Sequence, residues 1–591
     1  MRQFIKFFFA SCLGVLVAFI ALIFLFFVFI AALAGSGQQA QPVTDNSVLH
    51  LKFDQSLPEL TNNTAINPYD IYQSKVLGLN DYKYILETAA ADDHIKGIFI
   101  ETQSVPLGLA NLRDLREELV KFRESGKFVI AYDKFFTQGA YYLATAGDEI
   151  YMHPLGMLDL RGFGAQIIFM KDFLDKIGVE MQAVYAGKFK SATEPYRRND
   201  MSPESRLQTR AFLDPIYRTF LEDIAAARQI DTSALRRFVN NYEAVSLEAA
   251  LKAGIIDGIS QRDEVLDNMR QKMGLEKDKK FRLISPADYL TTKPRKSNFS
   301  AKNKVAVIYA EGVIVDGKGE PGSVGDEAYV KVIDRLRNDD QVKAVVLRVN
   351  SPGGSAMASE SIWRALSLVK EAGKPLVVSM GDYAASGGYY IACLADSIFA
   401  EDNTLTGSIG VFSVLPNAQN LMNDKLGLHV DTVKTAPFAT FPSVYFKMTD
   451  AERNLLQSRT NEMYNYFKQH VSDGRKLTMD QVEEIAQGRV WVGGKAVEIG
   501  LVDRIGDIED AVAAAAHMAD IANDYHVVEY PKMKEPIVLL IEQLTGGNEE
   551  AKQRMVMKEA LGELYPLYSF MEEIKASNGA QARLPFVMKV D

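Results

Sequence analysis

The sequence predicts an α/β protein built from two tandem domains of βαβ units, related by internal duplication, behind an N-terminal apolar segment long enough to be a transmembrane helix. The duplication is visible directly. His94-Ile95-Lys96-Gly97-Ile98-Phe99-Ile100 aligns with Gln341-Val342-Lys343-Ala344-Val345-Val346-Leu347, Gly139-Ala140-Tyr141-Tyr142-Leu143-Ala144 with Gly387-Gly388-Tyr389-Tyr390-Ile391-Ala392, and Lys176-Ile177-Gly178-Val179 with Lys425-Leu426-Gly427-Leu428. Within each copy, β-rich runs alternate with helical stretches, the rhythm of parallel strands joined by crossover helices. The apolar segment, Phe7 to Ala34, contains no charged residue.

The elements follow in order. Residues 1–34 are read as an anchor. The run exceeds the roughly 20 residues that span a hydrocarbon core. Arg2 and Lys6 precede it and no Lys or Arg follows until Lys52, so the positive-inside bias leaves the N-terminus in the cytoplasm and the remainder outside. Ala32-Leu33-Ala34 resembles a cleavage site, but the apolar run is longer than the 7–15 residues usual in a signal peptide. Residues 35–46 are a polar linker rich in Gly, Gln, Ser and Pro.

Residues 47–282 form the first repeat, 283–303 a connector with Pro286 and Pro294, and 304–519 the second repeat. In the second, Val305–Tyr309, Ala344–Val349 and Pro375–Ser379 read as strands, and Ala328–Leu336 and Ser359–Glu371 as helices. Phe128–Ala131 is in register with Leu376–Ser379, and a long helix follows each core, at Ser202–Gln229 and Thr449–Gly474. Residues 520–591 are a tail outside the repeat, with helical stretches at Ile537–Leu544 and Glu550–Lys575 suited to packing or subunit contact.

The chain has 591 residues and a net charge of -10, which disfavours nucleic acid as a partner because phosphate binding needs a basic surface. Of its two cysteines, Cys12 lies in the membrane segment and Cys393 in an apolar run, so no disulfide between them is expected. There is no phosphate loop and no ligand cluster of His, Cys and carboxylates, so no cofactor or metal is implied.

Candidate chemistry lies where the copies differ. The second carries Ala385-Ser386-Gly387-Gly388, a serine in a small-residue turn where the first has Gln138. The first carries Gly187-Lys188-Phe189-Lys190-Ser191 where the second has Ala436-Pro437-Phe438-Ala439-Thr440. Complementary retention of a serine and a lysine suggests one active site built by both halves. Asn350-Ser351-Pro352-Gly353-Gly354-Ser355 adds a strand-to-helix turn whose glycines let the backbone approach a ligand, and whose free N–H groups suit an oxyanion. Taken alone, that motif is equally a tight turn, and a lone serine before a helix is more often a cap than a nucleophile. Both motifs nevertheless fall at strand C-terminal ends, where open α/β folds place sites.

A serine nucleophile needs a base. None of the seven histidines, at 50, 94, 153, 429, 470, 517 and 526, sits in a glycine-rich motif. A lysine serves if burial keeps it neutral. Lys188 and Lys190 are both candidates and share a face if their segment is extended.

Several segments together resemble the signal peptide peptidase A (protease IV) family in its long, duplicated form. They are Asn350-Ser351-Pro352-Gly353-Gly354, Ala384-Ala385-Ser386-Gly387-Gly388-Tyr389, Leu405-Thr406-Gly407-Ser408-Ile409-Gly410, and Phe189-Lys190-Ser191-Ala192 with Glu194-Pro195 and Asp200-Met201-Ser202. The resemblance covers about Ser47 to Ala516 and the N-terminal anchor. It implies tandem domains of the Clp protease/crotonase fold and a Ser-Lys dyad: Ser386 the nucleophile, Lys190 the base, Ser408 orienting the lysine. Gly354, with Gly353 beside it and the backbone at Gly387, would form the oxyanion hole. Asp382 departs from the family pattern, which often has a small or apolar residue there, and is expected to bear on specificity. The resemblance further implies a serine endopeptidase acting on signal peptides and other extended apolar peptides. It would be a single-pass protein of the bacterial inner membrane with its catalytic domains on the periplasmic side, assembled as a homo-oligomer, a tetramer. The alternatives are a crotonase-like acyl-thioester enzyme and a non-catalytic envelope scaffold.

Overall fold

The strand Asn303–Glu311 and its neighbours show how the repeat sequence becomes structure. In a computed structural model that describes residues 2–35, 42–64, 75–276, 279–295, 301–533, 557 and 580–583, this strand lies parallel to Val342–Ser351, which lies parallel to Leu376–Ala385. These strands are buried along almost their whole length, as expected of a parallel sheet covered on both faces. Alternate residues point to opposite sides. Val305, Val307 and Val346 pack on Ala511 and Ala515, while Ala306, Ile308 and Leu347 pack on Ile362 and Leu366.

The first repeat builds its own six-stranded sheet with the same core. Ser47–Leu51, Ile95–Ile100 and Phe128–Phe136 run parallel in that spatial order, and they occupy the places held in the second sheet by Asn303–Glu311, Val342–Ser351 and Leu376–Ala385. The aligned runs are therefore equivalent in space. The helices following each core are Pro203–Arg228, capped by Ser202, and Asp450–Arg475, capped by Thr449 with Glu452 completing a capping box.

The strands run further than their apolar residues alone suggest. Leu376–Ala385 continues to Tyr383 and beyond through Gly381-Asp382, two residues poor in strand propensity. Pairing holds it: Tyr383, Ala384 and Ala385 are in register with Leu405, Thr406 and Gly407, and Tyr383 N donates to Asn350 Oδ1 at 3.1 Å. The region between the repeats also adds structure, since Arg282–Ile284 forms an edge strand on Ser47–Leu51 and Pro286–Thr292 is helical. Tyr525–Tyr530 edges the second sheet beside Asn303–Glu311.

A third sheet mixes the repeats. Its order is Ser323–Gly325, Val313–Val315, Gly353–Ser355, Ala580–Arg583, Val411–Asn417 and Glu180–Ala186. The last two pair antiparallel from Val411↔Ala186 to Asn417↔Glu180, so a first-repeat strand is delivered to the second repeat.

Two buried polar contacts fasten the halves. Arg348, only 2% exposed, donates to both carboxylate oxygens of Glu59 at 3.1 and 3.2 Å, to Asn111 Oδ1 at 2.8 Å and to Ser379 Oγ at 2.8 Å. Asp382 accepts from the backbone N–H groups of Gly108, Ala110 and Asn111 at 3.1, 3.0 and 3.0 Å. These lie at the start of the first-repeat helix Leu109–Glu124, where a carboxylate complements the exposed N–H groups. Burial, with Glu59 near, nevertheless pushes the Asp382 carboxyl up to about 6. Asp382 thus faces the other half, and the expectation that it bears on specificity gives way to a docking role.

The N-terminal helix runs Arg2–Gly35, and many of its side chains lie outside the described residues. Among the described residues, no helix is long and apolar enough to cross a membrane. The two expected tail helices fall outside the described residues apart from Met557, as do residues 36–41 of the linker.

Arg348→Ala leaves Glu59 buried without its cation. It is expected to cost about 3–5 kcal/mol, read as a lowered urea midpoint. A shift below about 1 kcal/mol, the scale of a surface ion pair, would show that the halves do not depend on this pair.

Candidate active site

Ser386 and Lys190, which lie in different repeats, meet at one buried point. The strand Leu376–Ala385 ends in a sharp turn in which Ser386 takes φ 55° and ψ -115°, and the helix Gly387–Ala392 begins immediately after. A non-glycine residue in this region is strained by about 1–3 kcal/mol and persists only when its surroundings impose it. Here Ser386 N donates to Gly407 O at 2.8 Å and Tyr390 N donates to Ser386 O at 2.8 Å. The small neighbours Ala384, Ala385, Gly387 and Gly388 are what permit so tight a corner.

The lysine arrives from the far side. After Ala186 the first-repeat chain turns at Gly187, where φ is 104°, and Lys190 N donates to Gly187 O at 3.1 Å. The segment is therefore a turn and not extended, so Lys188 and Lys190 do not share a face. Lys188 is exposed and Lys190 is 1% exposed. Residues 487–489 of the second repeat press against this turn. Phe189 N donates to Gln487 O at 2.8 Å, and Gly488 approaches so closely that a Cβ on it would stand 2.7 Å from the backbone N of Lys190. Only glycine fits there.

Lys190 Nζ lies 2.7 Å from Ser386 Oγ, 3.0 Å from Ser408 Oγ and 3.1 Å from Ser408 O. Burial alone holds its amine well below the usual lysine range. Ser408 follows the strand Leu405–Gly407, takes φ 50° and is fixed by donation of its N–H to Arg489 O at 2.7 Å. The site thus has a hydroxyl, an amine able to be neutral beside it, and a second serine that fixes the amine from the opposite side. That is the equipment of a base-activated nucleophile. Among the described residues, no histidine hydrogen-bonds to Ser386 or Lys190; His50, His94 and His470 are paired elsewhere with Glu101, Asp92 and Glu360.

The glycine turn lies beside the serine. Gly353 has φ 96°, and a Cβ there would stand 2.7 Å from Gly387 N. Gly353 and Gly387 thus face each other, while Gly354 is set against Ile314 of the neighbouring strand. Tail residues 580–583 run along the outer edge of this turn.

Sequence reasoning missed several residues that shape the site. Gln208 is buried, donates to Phe189 O at 2.9 Å and Ser191 Oγ at 3.0 Å, and accepts from Val490 N at 3.3 Å. It ties the lysine turn to the second repeat. A signal existed: on Pro203–Arg228 the buried positions Ser205, Gln208, Phe212 and Ile216 form one stripe, and Gln208 is a polar residue within it. Gly488 carried no comparable signal, because its neighbour Lys190 is far away in sequence. In the first repeat, Gln138 at the place of the serine accepts from Arg161 N and Gly162 N at 3.1 and 2.7 Å, closing a loop.

Asp114, Glu118 and Asp507 converge closely enough to hold a cation. Lys83 already lies among them, 2.9 Å from Asp114 and 3.4 Å from Asp507, with Glu509 also in contact.

The family model for "Peptidase family S49" matches residues 121–276 and 369–522, over half of the chain. Protease 4 of Haemophilus influenzae is 31% identical over 562 residues, covering 92% of this chain and 91% of that protein. Protease 4 of Salmonella typhi is 35% identical over 509 residues, covering 84% and 80%. The chloroplastic serine protease SPPA of Arabidopsis thaliana is 31% identical over 508 residues, covering 85% and 73%. Among solved structures, a point mutant of ClpP1 from Listeria monocytogenes matches 35% of this chain and 94% of its own, at 14% identity and a TM-score of 0.24, too slight a likeness to argue from. The peptidase relatives remove the acyl-thioester and scaffold alternatives. A two-part family match over both repeats, together with relatives aligned along most of their length, places the chain in peptidase family S49, as a serine peptidase.

Proposed function

We propose that this peptidase uses Ser386 as nucleophile and Lys190 as general base, with Ser408 positioning the lysine. The observation that carries the reading is the 2.7 Å approach of Lys190 Nζ to Ser386 Oγ at a fully buried point. Neutral Lys190 takes the hydroxyl proton as Oγ attacks the scissile carbonyl, and the resulting ammonium gives that proton to the leaving amine. A water then enters, loses a proton to the same amine, and hydrolyses the acyl-enzyme. The developing oxyanion falls to the backbone at Gly353 and Gly387, with Gly354 in the adjoining strand.

The substrate is an extended peptide that adds as a strand beside Gly353–Ser355. Signal peptides, short and apolar, are the class the family resemblance suggests. The reading also includes an N-terminal membrane anchor in the bacterial inner membrane, with the catalytic halves on the periplasmic side. Apolar side chains on the described part of Arg2–Gly35, among them Phe7, Leu13, Val17 and Phe24, are exposed, which favours burial in lipid. A homo-oligomer, a tetramer by resemblance, is favoured by the exposed Leu426, Leu428, Val433 and Phe438 in the second repeat. No cofactor enters the mechanism.

Ser386→Ala and Lys190→Ala should each lower kcat by about 10⁴-fold or more with the fold unchanged by circular dichroism, since such residues act as a unit. Lys188→Ala should remain close to wild type. Near-normal turnover by either of the first pair would end the assignment, and the reverse ranking of the lysines would move the base to Lys188.

The pH dependence follows from the direction of the lysine shift. Lys190 is active when unprotonated, so kcat/KM should rise with pH through one ionisation lying below the ordinary lysine value of about 10.4 and persist when each histidine is replaced. Ser408→Ala removes one of the two Ser408 contacts to the amine; it should slow turnover less than Ser386→Ala does. A limb near pH 6.5 that vanishes with one histidine would contradict the lysine base.

A further inference from the structure

Arg489 stands beside the lysine turn with a charge that no described residue answers. Its main chain already serves the site, since Arg489 O accepts from Ser408 N at 2.7 Å. Its guanidinium lies over two rings, 5.2 Å from the centroid of Phe189 and 4.1 Å from that of Trp491. Both rings are held in place: Phe189 N donates to Gln487 O at 2.8 Å, and Trp491 Nε1 donates to Ile485 O at 2.9 Å. A planar cation stacked on two held rings is set in one orientation.

What the guanidinium lacks is an anion. Its Nε is buried without a hydrogen-bond partner. Burial alone pushes its ionisation below the usual arginine range, and no carboxylate is among the causes. Arginines at the junction of the halves are treated differently: Arg348 is met by Glu59, and Arg113 by Asp223 and Asp402. Charges removed from water are ordinarily paired because desolvation is costly. A half-buried, unpaired cation held at the edge of a site is therefore equipment for a charged ligand.

Its position says which part of a ligand it meets. The proton that Ser386 gives up passes through Lys190 to the departing amine, so the fragment that leaves starts at Lys190 and crosses the elements enclosing it. Those are the turn at Gly187 and residues 487–489. The strand Val411–Asn417 runs back to the same place: a Cβ on Gly410 would stand 2.9 Å from Gly488 Cα, and Gly488 N donates to Ile409 O at 2.7 Å. We propose that Arg489 binds a carboxylate on the leaving side of the substrate's scissile bond. The proposal rests on the Ser386–Lys190 reading. A guanidinium offers parallel N–H groups to both oxygens of a carboxylate. Two sources carry that group: the C-terminal carboxylate of a short peptide, and an Asp or Glu side chain. In the first case the enzyme favours peptides already released, whose chain ends just past the cut, over segments still joined to a protein.

The test uses the full-length protein in detergent and an apolar peptide whose cut has been mapped by mass spectrometry. The peptide is made in two pairs: ending a few residues past the cut as free acid or as amide, and, as the amide, carrying Glu or Gln in the leaving part. The readout is the ratio of kcat/KM within each pair, which does not depend on how much activity a variant keeps. Wild type should favour the charged member of a pair by about 10-fold or more, the scale of a hydrogen bond to a charged group, and the pair that does so identifies the source. In Arg489→Gln that ratio should fall to near unity, and in Arg489→Lys, which keeps the charge without the planar fork, to an intermediate value. Ratios near unity for both pairs in wild type, or a wild-type ratio retained by Arg489→Gln, overturn the proposal. A binding measurement covers the case in which the variants do not fold. On Ser386→Ala, the charged peptide and not its neutral partner should protect Arg489 from phenylglyoxal, with the adduct located by peptide mapping; equal protection by the two, or none, overturns the proposal. Absence of hydrolysis by wild type overturns the dyad reading, and the protection measurement then decides the role of Arg489 by itself.

Discussion

The rest of the structure depends on the removal of one amine from water. A lysine ammonium is among the most expensive groups to bury, and the ordinary response is to lose the proton. Lys190 is buried with no carboxylate among the causes of its shift; its nearest partners are the hydroxyls of Ser386 and Ser408 and one carbonyl. Those partners suit a neutral amine, which both accepts from and donates to its neighbours. The same burial that is a cost to folding weakens the amine as a base enough to leave it unprotonated, as the proposed role beside Ser386 requires.

Keeping that amine dry requires both repeats. The strand Glu180–Ala186 crosses to pair with Val411–Asn417, and Gly488 lets residues 487–489 close over the lysine turn. Gln208 bridges the turn to Val490. Further away, Asp382 grips the start of Leu109–Glu124 only a few residues before the nucleophile, and Arg348 is clamped by Glu59. The docking of the halves and the placement of Ser386 are therefore parts of one structure. Burial also pushes Glu311 up to about 8, with Glu59 adding to the effect, where it accepts from Glu59 N and Asn63. Duplication followed by complementary loss explains the arrangement: one copy keeps the serine while Gln138 closes a loop in the other.

Much of this was legible in the sequence because it is local or periodic. The parallel strands announce themselves as continuous apolar runs, the long helices by Ser202 and Thr449 caps, and the site by what each repeat lacks. What was not legible is what depends on contacts between distant segments. The choice between Lys188 and Lys190 by residue pattern assumed an extended segment, whereas a turn at Gly187 exposes one and buries the other. Asp382 seemed placed for specificity until its helix partner, far away in sequence, was known. The strand at Ala580–Arg583 has no alternating pattern of its own and exists because two unpaired edges receive it.

The central claim is that Ser386 is reactive because Lys190 is neutral beside it. The direct measurement is the rate at which a serine-directed phosphonofluoridate labels the protein as a function of pH, with the modified residue located by peptide mapping, in wild type and Lys190→Met. The account requires the label on Ser386, a rate rising with pH through a single ionisation, and negligible labelling of Lys190→Met. Labelling of a different serine, or labelling of Ser386 that is indifferent to the loss of Lys190, would contradict it.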